Sequence, residues 1–175
     1  MAETLIPAWE GGVLLPLEKI VVHRRGLRHK AVSVFVFQGR KLLLQKRAAG
    51  KYHSAGLWAN SCCTHPFWGE SDASCAERRL RQELGISGLA LHPAGRVGYR
   101  ADVGAGMIED EDVAVFTAEA PPGMATDPDP TEVAALRWVD LTDLAEELGA
   151  TPERFTAWLR IYLDRHRSQI LGART

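Results

Sequence analysis

With 175 residues, 46% of them hydrophobic, the chain is long enough to bury one compact core and too short for a multidomain machine. Its 21 basic and 22 acidic residues nearly cancel, so no global field gathers nucleic acid or an anionic membrane, and any anion site has to be local. No apolar run nears the roughly 20 residues that cross a bilayer, the first residues lack signal-peptide character, and 3 cysteines (Cys62, Cys63, Cys75) make no disulfide framework, so a cytoplasmic protein with reduced thiols is expected.

In chain order, residues 1–29 read as an N-terminal lead-in and 30–170 as a single domain. The β-branched and aromatic run Lys30 to Phe37, the turn Gln38-Gly39 and the run Arg40 to Arg47 predict a hairpin in the core of a sheet. A loop over Ala48 to Gly56 follows, then a strand over Leu57 to Cys63. Ser71 is a suitable N-cap, Ala76, Leu80 and Leu84 recur at helical spacing, and Gly85 stands where a helix ends, which predicts a helix from Ser71 to Leu84. Arg79 and Glu83 share one stripe of it. Further strands are expected at Arg96 to Ala101, Asp112 to Ala118 and Ala134 to Val139. A short helix from about Leu141 to Leu148 comes next, then a final helix from Pro152 to about Ile170. The order βββαβββαα implies an α/β (α+β) fold, a mixed sheet covered by helices with a C-terminal helical segment.

Two short runs carry chemistry. Cys63 and His65 stand two apart, as do Glu109 and Glu111, and in extended chain such pairs point to one face. A thiol and a carboxylate beside a metal are thereby suggested. His23 and His29 flank a short basic connection and, with His65, Glu109 and Glu111, form a candidate set of imidazole and carboxylate ligands. Such a set suits Mn²⁺ or Mg²⁺, and imidazole would also accept Zn²⁺. A single His is more often a surface or satisfied core residue; His53, His92 and His166 have no such company and read as structural. Lys19, Arg47, Lys51 and Arg79 could clamp a small polyanion such as a diphosphate. Glu83 beside them would repel it unless a divalent ion bridges the two, which argues for a second Mg²⁺ carried in with the ligand.

The segment Thr64-x5-Glu70-x7-Arg78-Arg79-Leu80-Arg81-Gln82-Glu83-Leu84-Gly85-Ile86 resembles a degraded Nudix box. Two acidic positions of that box are here Arg79 and Gln82, and its first glycine is Thr64, so the resemblance implies a Nudix-like fold poorly equipped for diphosphate hydrolysis. The wider pattern is similar to one Nudix branch, the type I isopentenyl-diphosphate isomerases. It rests on Gly56 to Pro66, Arg78 to Gly85, Tyr99-Arg100-Ala101, Glu109-x-Glu111 and Phe155-x-x-Trp158, and runs from about Lys19 to Tyr162. Five residues separate His23 from His29 where some members have six.

The resemblance implies that His23, His29, His65, Glu109 and Glu111 ligate the metal, and that Glu83 ligates the Mg²⁺ arriving with substrate. It makes Cys63 and Glu111 the proton-transferring pair, Tyr99 a helper, Trp158 a pocket wall, and Lys19, Arg47, Lys51 and Arg79 the diphosphate clamp. Its reaction interconverts isopentenyl and dimethylallyl diphosphate through a tertiary carbocation, with a lead-in that closes over the site. The expected partner is a small-molecule prenyl diphosphate, without nucleic acid or membrane, for a monomer or weak dimer. The alternatives are a Nudix pyrophosphohydrolase and a non-catalytic prenyl-diphosphate binding module. Cys62 alternates with Cys63 and reads as core packing.

Overall fold

The computed structural model describes residues 4–174. The lead-in contains an unexpected hairpin, β1 (Leu5–Glu10) and β2 (Val13–Glu18), turned by Gly11 and Gly12 at φ 58° and 82°. Prolines in both strands mask it in the sequence, but Pro7 stands opposite Pro16, so both missing N–H groups fall at a single rung. The Glu18 carboxylate then accepts from the backbone N–H groups of Ile20 and Val21 and starts helix α1 (Lys19–Arg25), which Gly26 closes in the left-handed conformation.

Strand β3 (Arg28–Gln38) is the centre of the sheet. The expected hairpin to β4 (Lys41–Arg47) holds for only two rungs, Phe37 with Leu42 and Gln38 with Lys41. Beyond them the strands part. β4 pairs with β5 (Trp58–Ala59) and β9 (Val133–Asp140), while β3 pairs with β6 (Cys62–Thr64) and, in parallel from Arg28 to Phe37, with β8 (Met107–Glu119). β7 (His92–Gly104) lies antiparallel on β8. The strand expected over Leu57 to Cys63 is thus two short pieces on different partners, and β7 and β8 both run longer than expected, so that Glu109 and Glu111 lie inside a strand.

Alternation along β3 sorts the core into two layers. Ala31, Phe35 and Phe37 pack with Leu144, Trp158, Leu159 and Tyr162 on one face, whereas Val32, Val34 and Val36 pack with Cys62, Cys75, Ala76, Leu80 and Leu84 on the other. The second layer is covered by α2 (Asp72–Leu84), capped by Ser71 and ended by Gly85 as the sequence implies. Cys62 is fully buried there, in agreement with its reading as packing. On the first face lie α3 (Leu141–Ala150), α4 (Ala157–Arg165) and α5 (Arg167–Leu171).

The single C-terminal helix expected from Pro152 is interrupted. A 3₁₀ turn over Pro152–Arg154 gives way to an extended Phe155, whose neighbour Thr156 donates its N–H to the Trp58 carbonyl at 2.9 Å and caps α4 through its hydroxyl. Backbone pairing with β5 outweighs the helical periodicity there. Among the described residues, no helix is long and apolar enough to cross a membrane.

Candidate active site

Register assembles the first half of the site. Tyr99 on β7, Glu111 on β8 and His29 on β3 stand abreast in three neighbouring strands, with Glu109 one pleat along the same face. Both glutamates are buried, at 3% and 1% exposure, and the Tyr99 hydroxyl lies 2.7 Å from Glu109 Oε2 and 2.8 Å from Glu111 Oε2. One phenolic proton cannot serve two carboxylates, so a proton or a cation is needed to reconcile them. Burial, then the Glu111 charge, pushes the Glu109 carboxyl far above its usual range. Burial pushes Glu111 the same way, but the hydrogen bonds and charges of His29 and His65 outweigh it and hold that carboxyl well below the usual range.

The imidazoles come from α1, β3 and the end of β6. His23 Nδ1 donates to the Lys19 carbonyl and His29 Nδ1 to the Leu27 carbonyl, each at 2.7 Å, so both rings present a bare Nε2 to the interior. Neither Nε2 has a hydrogen-bond partner. His65 sets Nε2 3.0 Å from Glu111 Oε1 and leaves Nδ1 unpartnered, while His29 Nε2 stands 3.4 Å from the same oxygen. The donor atoms of His23, His29, His65 and Glu111 lie within 4.8 Å of one another. Burial, then the His29 ring, pushes His23 down to about 4, and burial pushes His65 well below its ordinary value. Buried ring nitrogens without hydrogen-bond partners, gathered beside two glutamate side chains, are a donor set that suits a divalent cation.

Glu109 stands slightly apart from that group. It belongs to a neighbouring set with His23 and His53, whose Nε2 is 3.4 Å from Glu109 Oε1. His53, which reads from sequence as structural, lines the same cleft with its side chain 2% exposed. No local sequence signal marks it; the loop's closure on the sheet brings its ring to His23.

The four cations meet in the same cleft. Lys19, Arg47, Lys51 and Arg79 line it together with Cys63, His65, Glu83, Glu109, Glu111 and Trp158. Burial, reinforced by Lys51, Arg79 and Arg47, pulls the Lys19 ammonium down to about 8. Glu132, unrecognised in the sequence, pairs with Lys51 and lies 3.5 Å from Arg79, and Arg79 also pairs with Glu83 one turn along α2. Gln45 donates to the other Glu83 oxygen at 3.0 Å. With about 20 Å³ of free space, the cleft is shut around these contacts. A larger groove of about 530 Å³ between α3, α4 and α5 contains none of these groups.

Cys63 Sγ accepts from Ser33 Oγ at 3.2 Å, and Ser33 Oγ is 2.9 Å from the Tyr162 hydroxyl. Burial, then the Glu111 charge, pushes the thiol up, so it carries its proton at neutral pH. Trp158 is 1% exposed and the Arg47 guanidinium lies 5.2 Å from its ring centre, which makes it both core and wall.

A family model described as NUDIX domain matches residues 27–159. A Cereibacter sphaeroides protein named isopentenyl-diphosphate Delta-isomerase is 61% identical over 168 residues, covering 96% of this chain and 95% of that one. The chain belongs to the isopentenyl-diphosphate Delta-isomerases of the NUDIX family. Another isomerase relative, from Ruegeria pomeroyi, is 52% identical with 96% and 93% coverage. The fold is shared more widely. A Deinococcus radiodurans protein of known structure aligns over 89% of this chain and 94% of its own at TM-score 0.70 and 14% identity. A MutT NUDIX hydrolase from Burkholderia pseudomallei aligns over 79% and 97% at TM-score 0.61 and 24% identity. In this chain the segment that resembles a degraded Nudix box is turned to internal pairing: Arg78 forks onto Glu70 at 2.6 and 2.7 Å and reaches Gln82 at 3.1 Å.

Proposed function

We propose that this cleft interconverts isopentenyl and dimethylallyl diphosphate, with Cys63 and Glu111 as the proton-transferring pair. The reaction adds a proton at one carbon and removes one from its neighbour, so it needs two acid/base groups around a flat five-carbon unit. Support comes from one observation above all: a protonated thiol and a buried carboxylate line the same closed cleft as four cations suited to a diphosphate. Because the reaction is reversible, the two groups exchange roles with its direction.

Lys19, Arg47, Lys51 and Arg79 hold the diphosphate, Arg by its planar fork and Lys as a point charge. Glu83, paired with Arg79 here, would hold Mg²⁺ that arrives with substrate. Tyr99 orients Glu111. The face of Trp158 stabilises the tertiary cation by about 0.5–2 kcal/mol, and the apolar wall it belongs to excludes the water that would trap that cation as an alcohol.

His23, His29, His65, Glu109 and Glu111 hold a divalent ion, Mn²⁺ or Mg²⁺, with Zn²⁺ also accommodated by imidazole. When bound, it supplies positive charge beside the Glu111 carboxyl and so tunes its proton affinity. Residues 1–29, carrying two of these ligands, close over the 30–170 domain, and the absence of room for substrate in the shut cleft supports that motion. The chain works in the cytoplasm as a monomer or weak dimer on a small-molecule prenyl diphosphate, without nucleic acid or membrane.

Incubation with isopentenyl diphosphate and Mg²⁺ in deuterated water tests the reading. Deuterium enters the substrate pool and the dimethylallyl isomer forms with wild type and not with Cys63→Ala. Release of phosphate unaffected by Cys63→Ala would replace it with a hydrolase, and tight binding without exchange or release would replace it with a binding module.

A further inference from the structure

We infer that Ser33 and Tyr162 are positioning residues for Cys63: a hydrogen-bond chain from Tyr162 through Ser33 to the sulfur turns the thiol proton toward the cleft, a role that rests on the isomerase reading above. Ser33 and Cys63 stand opposite each other on one rung of β3 and β6, so the sheet itself sets hydroxyl against sulfur. That face of β3 otherwise carries Ala31, Phe35 and Phe37, and Ser33 is fully buried among them. A buried hydroxyl needs a partner and sulfur is a weak acceptor, so packing alone gives little reason for a serine there. Tyr162 follows Trp158 by four residues on α4, which puts the phenol and the pocket wall on one stripe of the helix.

Counting protons gives the chain its direction. The Tyr162 hydroxyl is buried and keeps its proton, and among the described residues its hydrogen-bond partner is Ser33 Oγ at 2.9 Å. Were the thiol to donate to Ser33 and Ser33 to Tyr162, the phenolic proton would be left buried without an acceptor, the costly arrangement. With Tyr162 donating to Ser33 and Ser33 donating to Cys63 Sγ at 3.2 Å, both hydroxyl protons are used, and the S–H bond is free to point into the cleft that Cys63 lines. When that proton passes to substrate, the S–H bond breaks, the alkene's electron pair forms the new C–H bond, and the S–H pair stays on sulfur. Ser33 then donates to a charged acceptor, a stronger hydrogen bond than before, and Tyr162 polarises it in the same sense. In the reverse direction the same contact holds the sulfur while it receives the proton. Neither hydroxyl gains or loses a proton. The Tyr162 ring also meets the Tyr99 ring edge-on, centroids 5.8 Å apart, so one side chain of α4 braces the supports of both Cys63 and Glu111.

Turnover of isopentenyl diphosphate and the infrared S–H stretch of Cys63, isolated as the difference between wild type and Cys63→Ala, test the chain together. Tyr162→Phe removes only an oxygen and should lower kcat about tenfold, and Ser33→Ala about a hundredfold, each with KM within about twofold of wild type, because orientation is lost and binding is not. The double variant should be no slower than Ser33→Ala, since the two hydroxyls act in series, whereas independent packing defects would add. In Tyr162→Phe the Ser33 oxygen becomes free to accept from the thiol, so the S–H band should move to lower frequency, a change that loosened packing does not make. Variants with wild-type kcat, losses confined to KM, additive losses in the double variant, or a band unmoved by Tyr162→Phe each overturn the inference while wild-type turnover leaves the isomerase reading standing. A wild type that exchanges no deuterium with substrate removes both.

Discussion

Cys63 and Glu111 differ in their surroundings, and the difference sets what each substitution removes. Cys63 has one hydrogen bond, from Ser33, so Cys63→Ala should leave the fold near its wild-type stability while lowering turnover by roughly 10²–10⁴, the usual contribution of a positioned acid/base group. Calorimetry beside the deuterium assay checks both parts; a variant that exchanges at the wild-type rate refutes the thiol's role. Lys19 yields a pH effect of definite sign. Its ammonium titrates near 8, so it is charged and able to hold diphosphate below that pH and loses the charge as pH rises through it. kcat/KM should therefore fall above about pH 8, and Lys19→Arg, whose cation persists, should flatten that limb. Cys63 with His65 and Glu109 with Glu111 were recognisable by type and spacing, since i, i+2 positions in extended chain share a face, whereas Tyr99 and Trp158 were indicated only by the family resemblance. His53 and Glu132 were not, because nothing local distinguishes them from ordinary loop residues; only the closure of loop on sheet brings them to His23 and Lys51.

At the scale of elements, boundaries set by local chemistry were legible and those set by pairing were not. Helix α2 has its start in the Ser71 side chain and its end in Gly85, both visible in sequence. The opening of the β3–β4 hairpin and the break at Phe155 depend on β9, β8 and β5, which are distant in the chain, and no local pattern announces them. Gly85 is also where an element meets its neighbour. It sits at φ 67°, and a Cβ there would come within 2.7 Å of Asp127 Cβ and 2.8 Å of the Asp127 backbone. Gly85→Ala thus incurs both left-handed strain and a backbone collision, whereas Gly12→Ala, at φ 82° with nothing near, incurs strain alone. Chemical denaturation should show a loss of about 1 kcal/mol for Gly12→Ala and clearly more for Gly85→Ala. Equal losses would mean that Asp127 yields freely and that the α2 terminus is not pinned.

For the whole molecule, the lead-in is only lightly held by the sheet. β1 contacts β3 at a single rung, Ala8 with His29, and its own core is small, Ile6, Ala8 and Val22 backed by Leu17 and Leu27. On the proposed metal reading a second tie is added: α1 delivers His23, and the same turn leads into His29, so an ion held by both would join the lead-in to the glutamates of β8. Stability should then depend on metal by mass action, about 4 kcal/mol at a thousandfold excess over the dissociation constant. Chelation should lower the melting temperature, and it should do so unevenly. Without the ion, His23 Nε2 is left without a partner, and the lead-in loosens before the α2-backed layer does. Limited trypsin digestion reads this directly: Arg24 and Arg25, in the last turn of α1, should be cut faster in chelated protein and protected again by added Mn²⁺, while the cleavage rate within α2 stays unchanged. If the two regions gain sensitivity together, the lead-in unfolds with the body, and its closure over the site is a permanent feature of the fold that metal does not control.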